Sequence, residues 1–123
     1  MMRRVPLPSL LVATLAVSPL RRAVVTPAPS RTVEVTGLAY HPADLEVAQG
    51  DTIIWINRDI VPHTATSDTS PRAIDTGTLA AGDSSRYVAS HAGVYRYTCT
   101  FHPTMQGRLV VRAAPPAGAQ KQS

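Results

Sequence analysis

Residues 99–105 read Cys-Thr-Phe-His-Pro-Thr-Met, which sets a thiol (Cys99), an imidazole (His102) and a thioether (Met105) at three-residue intervals. A second imidazole, His63, stands 36 positions before Cys99, directly behind Pro62. Two imidazoles, a thiolate and a weak, distant thioether are the donor set of an electron-transfer copper site. Cu(I) favours soft sulfur and few ligands, whereas Cu(II) favours nitrogen. A site acceptable to both reorganises little when an electron moves. Each residue alone has an ordinary explanation: Cys99 as a small buried hydrophobe, His63 as a satisfied histidine, Met105 as packing. Their conjunction, at this spacing and at the end of a strand, points to metal. His41 and His91 lack partners at a useful spacing and read as surface histidines beside turns.

Positioning such donors is the task of short strands. The segment 94–100 (VYRYTCT) alternates, with Tyr95, Tyr97 and Cys99 on one face and Arg96 and Thr98 on the other, the period of a half-buried strand. Period-2 alternation also marks 32–38, with Val33 and Val35 inward, and 43–48, with Leu45 and Val47 inward. The more apolar run 52–57 (TIIWIN) follows the Gly50-Asp51 turn and leads toward His63. Strands are also expected at 84–89 and 107–112, whereas 64–78, with Pro71 and Gly77, reads as loop. Trp55 and the tyrosines 87, 95 and 97 are expected in the core. Asp51, Asp59, Asp68, Asp75 and Asp83 fall in loops, where aspartate serves turns. Turns every 8–12 residues or so predict an all-β sandwich or barrel, which can gather the strand ends that carry His63 and the Cys99 loop at one pole.

The chain has 123 residues, with eleven prolines, seven glycines and one cysteine. That length suits one small domain, and a single cysteine excludes an internal disulfide framework and multi-cysteine zinc sites. The net charge of +4 is unevenly spread. Arg3, Arg4, Arg21 and Arg22 precede residue 31 with no acid among them, which leaves eight basic and eight acidic side chains in the remainder. With no Arg/Lys stripe between 31 and 112, nucleic-acid binding loses its support. The basic start and the apolar run from Leu10 to Val17 read as a secretory leader, too short to span a membrane. We therefore expect a leader and linker over 1–30, a folded domain over 31–112 and a disordered tail over 113–123.

The sequence resembles the cupredoxins, and among the plastocyanin-like group it looks most like the amicyanins. The resemblance rests on Gly50-Asp51-Thr52, Trp55-Ile56-Asn57-Arg58, Pro62-His63, Gly93 through Cys99, and the short Cys-x2-His-x2-Met loop ending at Gly107. It implies the all-β Greek-key β-sandwich/barrel of the cupredoxin type across 31–112 and one type 1 copper ion, with His63, Cys99 and His102 as equatorial ligands and Met105 as the axial one. It further implies an exported (periplasmic or extracellular) monomeric one-electron carrier, not an enzyme. Redox partner proteins would dock near Phe101, His102, Pro103 and Met105; no nucleic acid is implied, and no membrane unless the leader is retained as an anchor. The sequence departs from the family at Thr64, where asparagine is usual after the first ligand, and at Phe101, where amicyanins carry proline. A Thr64 hydroxyl is expected to donate to the backbone near Thr100. The alternative is a copper-holding chaperone or buffer on the same fold. A Cys99 nucleophile is disfavoured by its inward strand face and the absence of an oxyanion-stabilising motif.

Overall fold

A computed structural model describes residues 2, 6, 8–24, 26–69 and 72–115. Arg3, Arg4, Pro71 and the tail beyond residue 115 lie outside the described residues. Eight strands follow in order: β1 (Ser30–Thr36), β2 (Ala39–His41), β3 (Asp44–Ala48), β4 (Thr52–Asn57), β5 (Thr66–Ser67), β6 (Ser84–Val88), β7 (Gly93–Thr98) and β8 (Gln106–Arg112). They form two four-stranded sheets, ordered β2-β1-β4-β6 and β3-β8-β7-β5. The pairs β1/β4 and β3/β8 run parallel and the others antiparallel. The described residues contain no helix, and the all-β sandwich expected from the turn spacing is the fold this chain adopts.

The inner faces are the alternating positions of each strand: Val33 and Val35 of β1, Val47 of β3, Ile53 and Trp55 of β4, Tyr97 of β7, Leu109 and Val111 of β8. Three aromatics meet between the sheets. Trp55 lies edge-on to Tyr97 with centroids 5.4 Å apart, and Tyr97 meets Tyr40 at 4.8 Å, the edge-to-face arrangement that ring quadrupoles favour. Tyr87 and Tyr95 are only partly buried against this core, and the Tyr95 hydroxyl donates outward to the His91 carbonyl at 2.7 Å.

Two short strands escaped the sequence reading. β2 pairs with β1 across a two-residue turn, Gly37-Leu38, with φ of 59° and 57°. Left-handed φ at both central positions is the hairpin geometry that matches strand twist. This turn ends β1 at Thr36, short of residue 38. β5 occupies two residues of the stretch read as loop and pairs with Thr98 and Tyr97 of β7. Residues 8–24 form no regular structure, and Leu10, Leu11, Leu15 and Leu20 stand exposed there. Among the described residues no helix is long and apolar enough to cross a membrane.

Candidate metal centre

β4 delivers the first donor. Its last residue, Asn57, is buried and works as a brace. Its Nδ2 donates to the carbonyls of Val61 (2.8 Å) and Leu79 (2.9 Å), and its Oδ1 accepts from the Asp59 N–H at 2.9 Å. The loop so shaped leads to His63, which exchanges both backbone hydrogen bonds with Leu79, at 3.0 and 2.8 Å. The imidazole is fully buried. Its Nε2 lies 2.8 Å from Asp59 Oδ2. Donation from Nε2–H to this carboxylate leaves Nδ1 without a proton and pointing toward Cys99 Sγ, 3.8 Å away.

The other donors come from the loop between β7 and β8, which the Thr98–Gln106 pair closes. Within it His102 N–H donates to the Cys99 carbonyl (3.3 Å) and Met105 N–H to the His102 carbonyl (2.9 Å). Cys99 is buried, and His102 is half-buried with Nδ1 3.9 Å from the sulfur. The donor atoms of His63, Cys99 and His102 all lie within 4.8 Å of one another. Met105, at the loop's end, is 2% exposed.

Two hydrogen bonds tie the two loops together: Thr64 N–H donates to Cys99 Sγ at 3.3 Å, and Thr100 N–H donates to Thr64 Oγ1 at 3.0 Å. The Tyr40 hydroxyl of β2 anchors the same residue by donating to the Thr64 carbonyl at 2.5 Å. The Thr64 hydroxyl therefore accepts from the Thr100 backbone, the reverse of the expected donation. Burial pushes the Cys99 thiol up. The N–H groups of Thr64 and Phe101, with the His63 and His102 rings beside the sulfur, outweigh that and bring it down to about 6, the direction a metal-ready cysteine requires. Two imidazole Nδ1 atoms facing the sulfur, a sulfur poised as thiolate and the buried Met105 thioether at the end of the same loop fit one type 1 copper ion.

The sequence reading missed Asp59, assigned there to turn chemistry alone. Its carboxylate accepts from Gly37 N–H (2.8 Å) and Leu38 N–H (3.3 Å) as well as from His63. The Gly37 N–H, with His63 and Leu38, holds it below the usual carboxylate range. An acid four residues before a candidate ligand histidine was the available signal, since ligating histidines commonly give their second N–H to a carboxylate. Met105 also departs from expectation as a docking residue, because it is buried. The exposed apolar surface beside His102 comes from Phe101, 50% exposed, and Pro103.

The sequence profile of the cupredoxin-like domain matches residues 9–111. The chain belongs to the cupredoxin-like family. Amicyanin of Paracoccus denitrificans is 32% identical over 82 residues, 64% of this chain and 63% of that protein, so this cupredoxin matches just under two thirds of that relative's length. Amicyanin-alpha of Methylorubrum extorquens is 26% identical over 102 residues, 80% of this chain and 86% of its own. Among solved structures, a Cu(I) methionine-to-glutamine variant of amicyanin superposes with a TM-score of 0.64 at 28% identity, covering 68% of this chain and 82% of that one. The reduced state of a proline-to-phenylalanine variant gives 0.58 at 31% identity, covering 69% and 82%.

Proposed function

We propose that this cupredoxin is an exported one-electron carrier, with residues 1–30 serving as leader and linker and 31–112 as the copper domain. His63, Cys99 and His102 are its equatorial ligands and Met105 its axial one. The observation that carries this reading is the convergence of one ring nitrogen from each histidine and the cysteine Sγ within 4.8 Å of one another. Copper bound there supplies a Cu(I)/Cu(II) couple that accepts and returns one electron.

The chain's own residues do the rest. Asp59 fixes the tautomer and orientation of His63. Thr64 N–H holds the Cys99 sulfur in place and, with Phe101 N–H, favours its thiolate. Burial of His63 and Cys99 excludes water from the centre. His102 reaches toward solvent between Phe101 and Pro103, which offers an apolar contact for a partner redox protein; small, brief interfaces suit such exchange. Complete burial of His63 and Cys99 favours a carrier over a protein that must hand its metal on. The deciding experiment is optical and electrochemical. The full chain loaded with copper should be intensely blue and reversibly reducible, and a colourless complex would sink the proposal.

A further inference from the structure

We infer that Thr66 is a positioning residue, whose buried hydroxyl locks the His63 loop to the Cys99 loop through Thr64. The Thr66 hydroxyl donates to Thr64 Oγ1 at 3.0 Å. Thr64 Oγ1 also accepts from Thr100 N–H at 3.0 Å. A hydroxyl has two acceptor sites and one proton, so both acceptor sites are filled and the proton has one direction left. It goes to Thr100 Oγ1, 3.3 Å away. The result is a one-way chain, Thr66 to Thr64 to Thr100, from a buried strand residue to an exposed loop residue. Thr64 follows His63 and Thr100 follows Cys99, so the chain spans the two loops that carry the donors.

Thr66 is suited to anchor this chain because its backbone is held on both sides. It pairs with Thr98 of β7 and forms a bridge to Asp75. Hydrogen-bonded hydroxyls in series polarise one another, so losing the buried head weakens the link at Thr100. The consequence for copper rests on the functional reading above, but the chain of hydroxyls belongs to the polypeptide alone.

The test compares Thr66→Val, which keeps shape and removes the hydroxyl, with Thr66→Ser, which keeps the hydroxyl. In the copper-free full chain, Thr100 amide exchange should quicken up to about twofold in Thr66→Val, the share of one net hydrogen bond that series polarisation supplies. It should stay at the native rate in Thr66→Ser. In the copper-loaded chain, the sulfur-to-copper absorption band should move in Thr66→Val and return in Thr66→Ser. Unchanged Thr100 exchange in a folded Thr66→Val chain overturns the inference. If that variant does not fold, NMR of the native chain decides: a slowly exchanging Thr66 hydroxyl proton supports the link and a freely exchanging one overturns it. A colourless copper complex with the exchange effect intact would sink the copper reading and leave the Thr66 link standing.

Discussion

Asp59 joins two parts of the molecule that are remote in sequence, the Gly37-Leu38 turn and the His63 ring. Leu38 holds a left-handed φ of 57° without being glycine, a conformation that costs on the order of 1 kcal/mol; the Asp59 carboxylate helps offset it. Asp59→Ala would leave the buried His63 Nε2–H without an acceptor and free the ring to turn. Copper affinity should fall about 10- to 100-fold, as for other partners of ligating histidines, measured by competition against a chelator of known affinity. Thermal stability of the copper-free chain should fall as well. Unchanged affinity would mean that packing alone orients the imidazole. The convergence of His63, Cys99 and His102 was legible because residue type and spacing carry ligand chemistry directly. Asp59 was not, because its partners at 37 and 38 are set by tertiary structure, and a loop aspartate looks the same whether it serves one turn or three groups.

The pairing of β7 with β8 sets the position of the Cys99 loop, and in it Tyr97 stands opposite Gly107. A Cβ on Gly107 would collide with the Tyr97 ring at Cζ. That ring cannot swing aside, because Trp55 and Tyr40 pack against it. Gly107→Ala should therefore cost about 1–3 kcal/mol or more, read as a lowered denaturant midpoint. Tyr97→Leu in the same chain should make the combined loss less than additive. Additive losses would mean that the ring and the glycine do not share a site. β1, β3, β4, β6, β7 and β8 were legible because each is long enough for alternation to show. β2 and β5 have three residues and two. Strands so short carry no period of their own and exist because β1 and β7 offer them an edge.

At the scale of the whole molecule, burial of aromatic hydroxyls sets an alkaline limit. Burial, then the nearby Cys99 and Tyr97, raises Tyr40; burial, then Tyr95, raises Tyr87; and burial foremost, with Asp44 adding, pushes Tyr97 up to about 12. In the unfolded chain these phenols ionise near about pH 10. A raised folded value favours the neutral phenol in the native state, so this stability is complete below pH 10 or so and is lost as pH climbs through about 12. Phenolate absorbance should thus show fewer than the full four tyrosines titrating before circular dichroism reports unfolding. All four titrating near pH 10 with the fold intact would refute it. The separation of His63 from Cys99 bears on the same balance. The chain has a single cysteine, so no disulfide can shorten its unfolded state. An ion gripped by both residues closes the 36-position span between them as a covalent bridge would. In the chain-entropy account, closing a loop of that length is worth on the order of 3–4 kcal/mol. In the proposed site such a crosslink would be reversible, present when metal is at hand and gone when it is withdrawn, so the stability of the folded domain should rise and fall with copper.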